Sequence, residues 1–178
     1  MANSFCEIFT EKVEKIQQNF PSPSTENELG QTEPSSVLSS FYATTPNEIR
    51  KLINGSPSKS CSLDVIPTFL LKECLENLLP IIIAIINTSL QTSTVPSAYK
   101  IAIVTPIIKN LALDPDLLSN FRPVSNLHFI SKILEKVVLK RLDEYRVENH
   151  LTQTFQSAYR KGHSTETAVL RVQNDILR

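Results

Sequence analysis

The stretch KIAIVTPIIKNLALDPDLLSNFRPVSNLHFISKILEKVV, residues 100 to 138, contains two segments that read as strand and the start of a helix. KIAIVTPIIK is a β-branched run between Lys100 and Lys109, too short for a buried helix. Pro106 lacks an amide donor, so this strand is predicted to be an edge strand or a bulged one. NLALDPDLLSN follows as a loop. Pro115 between Asp114 and Asp116 makes that pair turn chemistry rather than a metal site. NFRPVSNL is a second extended segment that can return antiparallel to the first. Pro123 biases Arg122 toward extended backbone and fixes the next φ, so the root of the guanidinium is held rigidly. Next, Ile133, Leu134, Val137, Val138, Leu142 and Tyr145 recur at helical spacing. Lys132, Lys136, Lys140 and Arg141 fall on other faces, as a charged outer face or the lining of a nucleic-acid channel.

Upstream of residue 100 the chain reads as helix. Phe5, Ile8, Phe9, Val13 and Ile16 give a short amphipathic helix within a first segment, residues 1 to 20. Residues 21 to 40, beginning PSPSTENELGQTEPSS, are polar and rich in Pro and Ser, and bury too little apolar surface to offset their ordering entropy. TPNEIRKLINGS has Thr45 as N-cap, Pro46 at the first helical position, Glu48 closing a capping box and Gly55 as the stop. In SLDVIPTFLLKECLENLLP, Pro67 opens a helix whose apolar face is read as Phe69, Leu70, Cys74 and Leu78, with Pro80 interrupting it. A further helical run covers 81 to 91. The C-terminal STETAVLRVQNDILR starts on a Ser/Thr cap and reads as helix to the last residue. An apolar-periodic helix without a C-cap suggests truncation within a larger fold.

Composition sets the outer limits. A chain of 178 residues suits one ordinary domain that buries roughly 70% of its extended surface. Three glycines against eleven prolines argue against a glycine-rich phosphate loop. Formal net charge is zero, but residues 1 to 89 hold six Lys/Arg and ten Asp/Glu, whereas residues 90 to 178 hold twelve and eight. The C-terminal half therefore carries an excess of four positive charges, compatible with a polyanionic partner. Cys6, Cys61 and Cys74 form neither a disulfide framework nor a zinc pattern, and reduced thiols place the chain inside the cell, in nucleus or cytoplasm. LLPIIIAII is far short of the roughly 20 residues a membrane span needs, and no membrane role is expected. His163 reads as a cap-adjacent polar residue and His128 as a packing or surface residue.

Three blocks carry a resemblance: KIAIVTPIIKN, NFRPVSNLHFISKILEKVVLKRL and FQSAYRKGHSTETAVLRVQNDIL. In order and spacing they resemble the reverse transcriptase of non-LTR, LINE-type retrotransposons, most closely the jockey-like group. SPSKSCSLDVIPTFLLKECL looks like the helical N-terminal extension preceding the polymerase fingers in that group. Residues before 41 look like the region between the group's endonuclease and its polymerase. The resemblance implies an α+β chain, with residues 41–99 as the helical extension and 100–178 as part of the fingers of a right-hand polymerase, truncated before the palm. Its fingers hairpin would use strands 101–108 and 121–127. Lys109 and Arg122 would contact the nucleotide triphosphate, a role suited to a mobile ammonium and a planar fork of donors. The residue-level alternative pairs Arg122 with Asp114, Asp116 or a helix C-terminus. Gln156, Arg160 and Lys161 map near nucleotide and template, where the two cations are candidates for phosphate contact; a solvated turn stopped by Gly162 is their other reading.

In the full-length family the partners are an RNA template, a DNA primer and dNTPs, and palm aspartates hold Mg²⁺. Those aspartates do not occur in these 178 residues, so no residue here is assigned to catalysis or to metal, and no cofactor is expected. The expectation is a reverse transcriptase fragment, inactive alone. A binding module for nucleic acid or protein, without catalysis, is the alternative. A third reading is an unstable fragment whose hairpin and last helix leave apolar surface bare.

Overall fold

The computed structural model describes residues 2–20, 37–151, 156–160 and 162–177. Most of the polar segment 21–40 lies outside that range, as does Lys161. The architecture is mixed α and β. Six helices are described: α1 (Ala2–Gln18), α2 (Pro46–Asn54), α3 (Thr68–Glu73), α4 (Leu75–Thr92), α5 (Phe129–Glu148) and α6 (Thr165–Ile176). One antiparallel hairpin, β1 (Ala102–Ile108) with β2 (Phe121–Leu127), stands between α4 and α5 in sequence.

The core is where α2, α4 and α5 meet. Ile49 and Ile53 come from α2, Leu71 from α3, Leu75, Leu79, Ile82, Ile86 and Leu90 from α4, and Phe129, Ile133, Leu134 and Val137 from α5. Local chemistry sets the start of α2: Thr45 is the N-cap, its Oγ1 accepting the Glu48 N–H at 3.3 Å, and Pro46 follows it. The second half of the expected capping box does not form. The Glu48 carboxylate turns instead to Thr44 and to α5.

The α3–α4 region departs from the sequence reading. The helix breaks at Cys74, whose ψ is 18°, and continues through Pro80 rather than stopping there. Phe69, Leu70 and Cys74 are exposed; the buried stripe is Leu71, Leu75, Leu79, Ile82, Ile86 and Leu90. Proline inside a helix costs about 3 kcal/mol. Each buried Leu or Ile returns about 1.5–3 kcal/mol, so a stripe of six outweighs it. By length and composition α4 could also cross a membrane, but its apolar stripe is accounted for by this packing.

In the hairpin, residues 102 to 108 face 127 to 121 one for one, without a bulge, and Pro106 stands directly opposite Pro123. Lys109 N–H donates to Asn120 O at 2.9 Å, which marks 109/120 as a hydrogen-bonded pair. Alternation along an antiparallel ladder then makes 106/123 a non-hydrogen-bonded pair. Both prolines therefore sit where the missing N–H would point outward, and the ladder loses nothing. Helix α1 covers the face bearing Val104, Pro106 and Pro123, with the Phe5 ring edge-on to Phe121 at 5.1 Å. No residue of α1 or α6 is buried. The capping box of α6, Ser164 with Thr167, forms in full.

Candidate functional site

The open face of the hairpin carries Arg122. Side chains alternate along a strand, so Ile103, Thr105 and Ile107 share a face with Arg122, Val124 and Asn126. This is the face opposite α1. Ile103 and Ile107 are 36% and 40% exposed there. Arg122 is exposed, directly across from Ile107, and has no ion pair or hydrogen bond among the described residues. The pairing with Asp114 or Asp116 does not occur. Asp114 Oδ1 accepts the Asp116 N–H at 2.9 Å, and the Asp114 carbonyl accepts from Asn120 Nδ2 at 2.9 Å, so the acids serve the turn.

Lys109 stands one residue past β1, its N–H bonded to Asn120 O beyond the paired ladder. Its ammonium is not directed at Arg122: Nζ donates to the Ser119 carbonyl at 2.8 Å and lines a cleft against α1. Gln156 Nε2 donates to Ala158 O at 3.3 Å, a local bond, and Arg160 is exposed. Around them the chain turns sharply, with φ of 59° at Tyr159 and 77° at Gly162. The structure gives Gln156 and Arg160 no hydrogen bond to Lys109 or Arg122, and Lys161 lies outside the described residues. Among the described residues no three His, Cys, Asp or Glu side chains are grouped so as to hold a metal ion.

Of the cations of α5, Lys136 and Lys140 are exposed, as an outer face implies, and Arg141 is not. Arg141 is buried, with Nε donating to Tyr42 O at 2.9 Å, Nη1 to Val137 O at 2.9 Å, and Nη2 to Glu48 Oε2 at 3.0 Å. Its guanidinium lies 4.1 Å from the centre of the Tyr42 ring. Lys140 Nζ reaches Glu48 Oε1 at 3.0 Å, and Lys136 Nζ reaches Ser56 Oγ at 2.7 Å. Burial alone would push the Glu48 carboxyl upward; hydrogen bonds from Arg141, Thr44 and Lys140, with the Arg141 charge, overcome it and hold it at about 2. The bond to Glu144 and partial burial push the Tyr42 hydroxyl above its ordinary value. The missed signal was spacing: Arg141 follows Val137 by four and lies on the buried stripe, where Leu142 had been expected.

Asp64 is a second residue the sequence did not single out. Its carboxylate accepts the Phe129 N–H at 2.6 Å and the Cys61 N–H at 2.7 Å, capping α5 from a loop of the extension. Cys61 Sγ also approaches Asn126 O, at 3.9 Å. His128 is packed between this carboxylate and the Tyr99 ring. The root of the hairpin is thereby fastened to the helical part.

No protein-family model matches the chain. The jockey-like, non-LTR resemblance read from the sequence agrees with similarity to RNA-directed DNA polymerases of mobile elements. Two such polymerases from Drosophila melanogaster are similar to this chain. It is 28% identical over 131 residues to the probable RNA-directed DNA polymerase from transposon BS, covering 73% of this chain and 14% of that protein. It is 28% identical over 133 residues to the RNA-directed DNA polymerase from mobile element jockey, covering 74% of this chain and again 14% of the relative. The chain thus spans about 14% of the length of the curated relatives it matches.

Proposed function

We propose that this chain is the helical N-terminal extension and fingers hairpin of an RNA-directed DNA polymerase, and that the hairpin binds the incoming deoxynucleotide through its triphosphate. The observation that supports the reading is Arg122, rooted in β2 directly before Pro123 and exposed with no hydrogen bond or ion pair among the described residues, in a chain similar to two such polymerases. Arg122 is the primary ligand: its root is rigid and its donors are uncommitted. Lys109 adds a point charge. RNA template and DNA primer belong to the same reading, as partners of the whole enzyme. As part of such an enzyme the chain is proposed to bind without catalysing, and primer extension with Mg²⁺ is expected to yield no product.

Amide chemical shifts of the ¹⁵N-labelled chain, followed during titration with dGTP at low ionic strength, test this reading. Residues 105–109 and 120–124 should move together, with a dissociation constant on the order of millimolar, as expected for one or two charged contacts. The Arg122→Ala variant should abolish the response. Hairpin shifts that are absent, or unchanged in Arg122→Ala, would refute it.

A further inference from the structure

Helix α1 brings two lysines to the end of the hairpin that carries Lys109. Its Phe5 meets Phe121 edge-on at 5.1 Å and Phe9 at 5.9 Å, so an aromatic face seats the helix over the first residue of β2. Beside this contact is a cleft of about 310 Å³ between α1 and residues 118–121, lined by Lys12, Lys15 and Lys109 together with Ser119. At roughly 30 Å³ per water, it holds about ten waters, which is room for a short phosphate chain.

Three ammonium groups share this cleft with one carboxylate, Glu11, which lies 3.5 Å from Lys15. Lys12 has no ion pair or hydrogen bond among the described residues, and Lys109 is held only by the neutral Ser119 carbonyl. Like charges gathered around a concave surface raise its potential, and an anion relieves it. We infer that α1 extends phosphate binding to its own side of the hairpin end: Lys12, supported by Lys15, binds a polyphosphate jointly with Lys109 in this cleft, across the hairpin from Arg122, so the ligand is held between an upstream helix and the hairpin. This deepens the proposed function and rests on its reading of Lys109 as a phosphate ligand. The ligand chemistry is a free polyphosphate rather than a nucleic-acid backbone, because the cleft is short and closed along one side by α1, whereas a strand needs an extended track.

The test uses the whole chain and inorganic tripolyphosphate, with dissociation constants from amide shifts at low and moderate salt. Lys12→Ala keeps α1 intact, since alanine is the best helix former, and circular dichroism checks it. Lys12→Ala should weaken tripolyphosphate binding roughly fivefold and reduce its salt dependence, while Lys12→Arg stays close to the parent. Amides 8–15 should shift together with those of the hairpin. Should Lys109→Ala weaken binding while Lys12→Ala does not, the part assigned to α1 fails and the hairpin reading survives. Should Lys109→Ala leave binding unchanged, the hairpin reading fails and this inference goes with it. A single-stranded oligonucleotide that shifts the same amides at lower concentration would overturn the choice of ligand.

Discussion

Replacing Arg141 by methionine keeps the length of the side chain and removes its charge. The Arg141 side chain is 1% exposed and that of Glu48 13%. Taking one partner from such a pair costs about 3–5 kcal/mol where nothing replaces it; Glu48 keeps Thr44 and Lys140 while the Tyr42 carbonyl loses its guanidinium donor, so about 2–3 kcal/mol is expected. The pH dependence gives an independent measure. Glu48 titrates at about 2 in the folded chain against 4.5 when unfolded. A depression of roughly two and a half units corresponds to about 3 kcal/mol. Since the folded value is the lower, this stability is present in full above the unfolded value and is lost as pH falls from about 5 toward 2. Urea unfolding of Arg141→Met, followed by circular dichroism at pH 7, 5 and 3, should show lower stability at pH 7 and a flattened acid limb. Adding Glu48→Gln to that variant should restore part of the loss. A cost below about 1 kcal/mol at pH 7, or an acid limb identical to the parent's, would refute the account of this pair.

Asp64→Ala strips two N–H groups of a charged acceptor, and a loss of about 2–4 kcal/mol is expected, with Asp64→Asn retaining part of it; its hairpin amides should exchange faster with solvent, and exchange confined to α5 would count against the fastening role. Pro80→Ala restores an internal helix donor at an exposed position, so the melting temperature should rise by several degrees, at about 2–4 °C per kcal/mol for a chain of this size. A fall would mean that the proline ring does more than occupy the helix surface.

What could be read in advance depended on how local each determinant is. The hairpin follows from one β-branched run, a turn and a second extended segment around Arg122-Pro123, all within residues 102 to 127, and its limits came out within one residue. Thr45 and Pro46 set the start of α2 by contacts with immediate neighbours, and these too were legible. Pro80 was misread because the term that overrides it lies outside the segment: the packing of Leu79, Ile82 and Ile86 against α2 and α5 exists only in three dimensions. Glu48 and Arg141 are separated by 93 residues and Asp64 and Phe129 by 65, so no pattern within one element announces either pair. At the candidate site, the resemblance pointed to Lys109 and Arg122, but the turn of the Lys109 ammonium toward Ser119 and the approach of α1 come only from the fold.

The opposed prolines bear on why a site of this kind is built on a two-stranded hairpin. Both strands of an isolated hairpin are edges, and their outward N–H groups invite further strands. Pro106 and Pro123 remove the outward donor on both edges at the same level, without breaking a bond between the strands. With α1 over one face, the other stays open around Arg122, and the side bonds of Asp64 and Cys61 hold the root. Such a hairpin is fixed at its base, met by α1 at the end that carries Lys109, and protected from sheet growth along both edges.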